Sequence, residues 1–85
     1  MRPRGIPYGT KNICGANVER LRKAQGMKQH ELVAQMQLKG VDINPSSLSK
    51  LEGQVRAATD IEIKAIAEIL DVNVAELFAE IEKEP

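Results

Sequence analysis

Helix-start signals cut this chain into short pieces. Asn44 stands directly before Pro45, Thr59 is followed three residues on by Glu62, and Asn73 is followed at the same interval by Glu76. An Asn or Thr in such a place accepts amide protons of the first helical turn. Proline at the first helical position gives up no needed donor, and an acid three residues on answers the N–H of the cap itself. Gly26 and Gly40 fall where left-handed residues stop two earlier helices. Cys14, Val18, Leu21 and Gln25 share helical spacing, which predicts a first helix over 14–25. Leu32, Val33 and Met36 share the face of a second over 29–38, and a third runs from Pro45 to Glu52. In the fourth, Ile63, Ile66, Ala67 and Leu70 lie at i, i+3, i+4, i+7, and in the fifth Val74, Leu77, Phe78 and Ile81 repeat those offsets. No segment alternates with period two, and the Val41 to Ile43 stretch is too short for a strand. The expected fold class is all-α, five short helices in one compact domain.

Size and composition agree with this. Eighty-five residues fill one small core, not two. Hydrophobic residues at 42% and charged residues at 28% exclude a disordered polyelectrolyte. No apolar run approaches the roughly 20 residues of a spanning helix, and the first residues, MRPRGIPYGTKN, carry no apolar signal core. A soluble, cytoplasmic protein is the expectation. One Cys and one His provide neither a disulfide nor metal-ligand spacing, so no metal or cofactor is expected. Residues 1–12 carry two prolines, two glycines and three cations without apolar period, and read as a flexible basic arm. The folded domain is expected over 13–82, with 83–85 as a tail.

The net charge of zero hides a division. Residues 1–56 hold ten Lys and Arg against four acids, net +6, whereas residues 57–85 hold two against eight, net −6. Such asymmetry suits a polyanion on one side of the molecule; ordinary solvated helix faces are the alternative.

A second helix, a glycine-containing turn and a short polar third helix follow the order of a helix-turn-helix. The residues are more specific than the order: LRKAQGMKQHEL, SSLSKLEGQVR and TDIEIKAIAEILDVNVAELF resemble the lambda-repressor-like helix-turn-helix family, which includes Cro-like and phage-repressor DNA-binding domains. The resemblance spans roughly 15–79. It implies duplex DNA binding with the third helix in the major groove, Gln29 on a phosphate oxygen, and an Arg22 to Glu52 pair locking that helix to the body. The alternatives are that Gln29 only caps its own helix and that Arg22 and Glu52 are separately solvated. By the same resemblance Pro45, Ser46 and Lys50 meet base edges, Pro45 by apolar contact with a thymine methyl and Lys50 by donating to guanine O6 and N7. Lys28, Gln29, Lys39, Asn44, Ser47 and Arg56 are the expected backbone contacts.

Three departures qualify the resemblance. Lys28 stands where the family favours a small cap such as Ser. Leu32 and Glu52 are separated by a longer stretch than is common, through QLKGVDIN, which predicts a lengthened helix two and an extended turn between helices two and three, and puts Lys39 near the DNA edge. Gly53 and Gln54 reverse the family's usual order, so the left-handed position after helix three is open between them. Leu48, Leu51 and Val55 are assigned to the core by their i, i+3, i+7 spacing.

Nothing points to catalysis. His30 reads as an exposed histidine, Cys14 as a small buried hydrophobe, and the serines lack a base in any triad arrangement. Ile61, Ala65 and Ile69 form a second apolar row, which predicts a homodimer unless the row packs on helix five. The sequence thus describes a small, non-enzymatic DNA-binding transcriptional regulator, a repressor by its size. The rival is an antitoxin-like or coactivator-like module whose main task is binding a protein partner.

Overall fold

Capping side chains and left-handed residues mark the ends of five helices in the computed structural model, which describes residues 8–80: α1 (Gly15–Ala24), α2 (Gln29–Leu38), α3 (Pro45–Glu52), α4 (Asp60–Leu70) and α5 (Val74–Leu77). No strand is present among the described residues. Asn44 Oδ1 accepts the Ser47 N–H at 2.8 Å, with Pro45 at the first helical position. Thr59 and Glu62 cap reciprocally, Oγ1 accepting from Glu62 N–H at 3.2 Å and Glu62 Oε1 from Thr59 N–H at 3.0 Å. At α5, Asn73 Oδ1 accepts the Ala75 N–H and Glu76 answers Asn73 N–H, each at 3.0 Å. Lys28, whose ammonium cannot accept a hydrogen bond, precedes α2 with only the reverse half of such a box: Glu31 Oε1 accepts its N–H at 2.8 Å.

The core is a single cluster. Val18 of α1, Leu32, Val33 and Met36 of α2, Leu48 and Leu51 of α3, Ala65, Ile66, Ala67 and Leu70 of α4 and Leu77 of α5 are buried in it. Helix α1 packs on α3, α4 and α5, and α2 on α3 and α4, so α3 is braced from two sides. The residues between α2 and α3 form the connection instead of lengthening α2. Gly40 turns the chain at φ 83° and Val41 and Ile43 plug into the core, while Gln37 Nε2 donates to the Ile43 carbonyl at 2.8 Å. Two apolar side chains thereby anchor the long turn.

Four expectations need correction. Val55 is 54% exposed, because α3 stops at Glu52 and the helical spacing that assigned it to the core no longer applies. Helix α5 ends at Leu77, and of its predicted stripe only Leu77 is buried, with Val74 and Phe78 41–42% exposed; Ile81 lies outside the described residues. The row Ile61, Ala65, Ile69 is not one exposed seam: Ala65 is buried, Ile69 packs against the core and only Ile61 is open. Of residues 8–12, read from sequence as flexible arm, Gly9, Lys11 and Asn12 are hydrogen-bonded to the end of α3 and the turn after it, and Tyr8 donates to Glu19 of α1. Residues 1–7 of the arm and the 83–85 tail lie outside the described residues.

Candidate nucleic-acid interface

Burying one face of α3 turns the other outward. Leu48, Leu51 and Glu52 are buried, Ser47 is half-buried, and Asn44, Pro45, Ser46, Ser49 and Lys50 are exposed. The exposed set is short and polar apart from Pro45, and Lys50 is its one long donor. Its seat is a polar hub. Arg22 Nε donates to Glu52 Oε2 at 2.7 Å and its Nη2 to Oε1 at 3.0 Å, a two-pronged pair in which Arg22 is 6% and Glu52 0% exposed. Arg22 Nη1 also donates to the Met27 carbonyl at 2.7 Å. Gln29 Nε2 donates to Glu52 Oε1 at 2.8 Å. Arg22 and the carboxylate therefore tie together α1, the loop before α2, the first turn of α2 and the last turn of α3.

That arrangement alters what Gln29 can offer. One of its two amide hydrogens is committed to Glu52, which leaves the second for an outside acceptor. Asn44 commits Oδ1 to its cap and keeps Nδ2 as its donor group. Lys28, Lys50 and Lys11 are exposed and form no ion pair among the described residues.

Two cations expected at the interface are engaged elsewhere. Arg56 donates to both oxygens of Glu62, Nη1 to Oε1 at 2.9 Å and Nη2 to Oε2 at 2.7 Å, with a further 3.1 Å bond from Nη1 to the Ala57 carbonyl. Those bonds hold the Glu62 carboxyl below its ordinary range despite burial, and Glu62 in turn raises Arg56 above its own. Lys39 lies 3.5 Å from Glu68 of α4. At about 1.5 Å per residue the length of α2 separates Lys39 from Lys28 by roughly 16 Å, so the two serve opposite ends of that helix. The sequence brings together Arg22, Gln29 and Glu52, and leaves Pro45, Ser46 and Lys50 open on α3. Lys39 and Arg56 are directed to the acids of α4.

Sequence reading missed Asn12. Its Oδ1 accepts the Gly15 N–H at 2.8 Å, and its Nδ2 donates to the Leu51 and Arg56 carbonyls at 3.0 and 2.7 Å. The bond to Gly15 is a capping pattern, Asn followed three residues on by an amide in the first helical turn, and that signal was present in the chain. The long-range bonds have no local signature. The open left-handed position falls on Gln54, φ 60°, with Gly53 at φ −78°. Gln54 Nε2 donates to the Asn12 carbonyl at 2.5 Å, which holds a non-glycine residue in a conformation it seldom adopts.

Other titratable groups do not gather into a reactive site. Cys14 is buried, and desolvation pushes its thiol up. No group of His, Cys, Asp and Glu among the described residues is arranged to hold a metal ion, and no described helix is long and apolar enough to cross a membrane. Compared with protein-family models, with curated proteins and with solved structures, the chain shows no significant match, so its chemistry is read from its own residues.

Proposed function

We propose that this chain is a sequence-specific double-stranded DNA-binding regulator, a small cytoplasmic repressor of the lambda-repressor-like helix-turn-helix kind that acts on the nucleoid. Helices α2 and α3 are its helix pair, and α3 enters the major groove. The observation that carries the reading is the outward face of α3, short, polar and exposed, on a helix whose buried face is locked by the Arg22 and Glu52 pair. Short side chains allow backbone and base edges to approach closely, and a fixed helix keeps their contacts in register. Lys50 donates to a guanine edge, while Pro45 and Ser46 lie against neighbouring bases. Lys28, the second amide hydrogen of Gln29, Asn44 and Ser47 meet phosphates. Lys39 and Arg56 take part only by giving up Glu68 and Glu62. The chain acts by binding and carries out no chemical reaction.

On DNA the chain works as a homodimer, since one short polar helix reads few base pairs and paired half-sites multiply its selectivity. The groove between α4 and α5, lined by Ile61, Ile63, Val74 and Phe78 together with the oppositely charged Asp60 and Lys64, suits a second copy. A protein-interaction module is the second reading, favoured by the same exposed apolar groups and by the loss of Lys39 and Arg56 to internal pairs.

Selection of bound fragments from a random duplex pool at two salt concentrations tests the proposal. Enrichment of one motif, with two-fold symmetry, is the expected result. No retained duplex even at low salt decides for the protein-interaction module.

A further inference from the structure

The segment Gly9–Asn12 is strapped to the turn that follows α3. Gly9 N–H donates to the Gly53 carbonyl and Lys11 N–H to the Gln54 carbonyl, both at 2.8 Å. Asn12 closes the strap on the Leu51 and Arg56 carbonyls, and Gln54 returns a bond to the carbonyl of Asn12. The approach is close enough to require glycine. A Cβ on Gly9 would sit 2.5 Å from the Gln54 oxygen, and one on Gly15 would sit 2.1 Å from the Leu51 oxygen. Yet the strap contributes no member to the hydrophobic core. Its bonds fix position more than they bury apolar surface.

What the strap positions is charge. Lys11 turns its N–H inward to Gln54 and is itself exposed, and Lys50 closes the same turn by accepting the Val55 N–H at 3.1 Å. Both lysines lack a carboxylate partner among the described residues, whereas Lys23, Lys39 and Arg56 each have one. Two unneutralised lysines, one on the strap and one in the turn that the strap binds, offer a place for an anion. We propose that Lys11 is a phosphate contact of the duplex-binding surface and that Asn12 is the positioning residue that holds it beside α3. The proposal rests on the duplex-binding reading above.

Affinity for a labelled duplex of mixed sequence, measured across a salt series, tests it. Lys11→Ala lowers the slope of log affinity against log salt by about one, the amount expected for one lost phosphate contact. Asn12→Ala lowers it similarly although no charge is removed, and the double variant falls no further than Lys11→Ala. Lys23→Ala, at an exposed α1 lysine already paired with Glu19, leaves the slope unchanged. If Asn12→Ala does not fold by circular dichroism, Gly9→Ala replaces it, since its methyl group pushes the strap off the Gln54 carbonyl without touching Asn12. A wild-type slope in Lys11→Ala, or a fall in Lys23→Ala as large as that in Lys11→Ala, overturns the contact. A wild-type slope in folded Asn12→Ala, or in Gly9→Ala where that stands in, overturns the positioning role. If the unaltered chain binds no duplex at low salt, the duplex-binding reading fails and the strap proposal with it.

Discussion

Replacing Arg22 by methionine is the sharpest test of how α3 is held. Methionine keeps most of the aliphatic volume but removes the two bonds to Glu52, at 2.7 and 3.0 Å, and the 2.7 Å bond to the Met27 carbonyl. Glu52, with no exposed surface, is left with Gln29 as its one side-chain donor among the described residues. A buried carboxylate stripped of its cation costs on the order of 3 to 5 kcal/mol. The whole stability of a chain this size is about 4 to 13 kcal/mol, so about a quarter or more of it is at stake. At roughly 4 to 8 °C per kcal/mol the melting temperature falls by at least about 12 °C. Arg20→Met is the control, because Arg20 is half-buried and donates only to Asn17 Oδ1, at 3.1 Å; its loss shifts melting by a few degrees at most. Exchanging both partners, Arg22→Met with Glu52→Met, removes the charge along with its counter-ion and recovers much of the loss. Thermal unfolding followed by circular dichroism reads all three. Equal melting temperatures for Arg22→Met and Arg20→Met, or a double variant that loses the sum of the single losses, would refute the argument.

Other substitutions separate the remaining contributions. Lys50→Ala weakens the selected duplex by on the order of 1 to 3 kcal/mol and mixed-sequence duplex much less, whereas Gln29→Ala weakens both alike; equal losses on both duplexes for Lys50→Ala would make Lys50 a backbone contact. Because Arg56 lowers the Glu62 carboxyl in the folded chain, their interaction stabilises above the unfolded carboxylate range and is lost as pH falls through the lowered value. Acid titration of Glu62→Gln therefore shows a shallower loss of stability below pH ~4.3 than the unaltered chain, and identical acid limbs contradict it. Cys14, buried and with its thiol pushed up, reacts with a thiol reagent only as fast as the chain opens, so labelling that denaturant does not accelerate counts against its burial.

Much of the helical framework was legible because its signals are local. The ranges 29–38 and 45–52 follow from a glycine stop, an Asn–Pro start and apolar spacing, all within a turn or two of the residues that obey them. The errors arose where a local rule was carried past its reach. Val55 kept the spacing of α3 beyond the helix, and Val74 and Phe78 kept the spacing of a helix that ends after Leu77. Helix α4 is apolar on several faces, so periodicity alone could not decide whether Ala65 and Ile69 faced a partner or the core. The candidate site divides in the same way. Arg22 and Glu52 were named through a resemblance that pairs them, while the Arg56 to Glu62 pair and the Asn12 bonds join positions with no shared helical register. Asn12 reaches carbonyls 39 and 44 residues away, beyond any periodic pattern.

Both unforeseen and foreseen contacts converge on the last turn of α3. Glu52 is gripped there from α1 and α2, and the Leu51 and Gly53 carbonyls are taken by Asn12 and Gly9. The other end is held differently, by the Asn44 cap and by buried Ile43 and Leu48. A helix of 8 residues has little propensity-derived stability of its own, so its place in the molecule depends on such anchors. Longer side chains would tolerate a rocking helix by extending or folding back. Ser46, Ser49 and Pro45 have no such reach, and a displacement of about 1 Å moves a hydroxyl out of the 2.5–3.0 Å range of a good hydrogen bond. For the duplex-reading role proposed above, such a short polar face is therefore useful only on a helix seated at both ends. The polar hub at Glu52 and the strap at Asn12 add that seating to the hold that buried Leu51 gives the last turn.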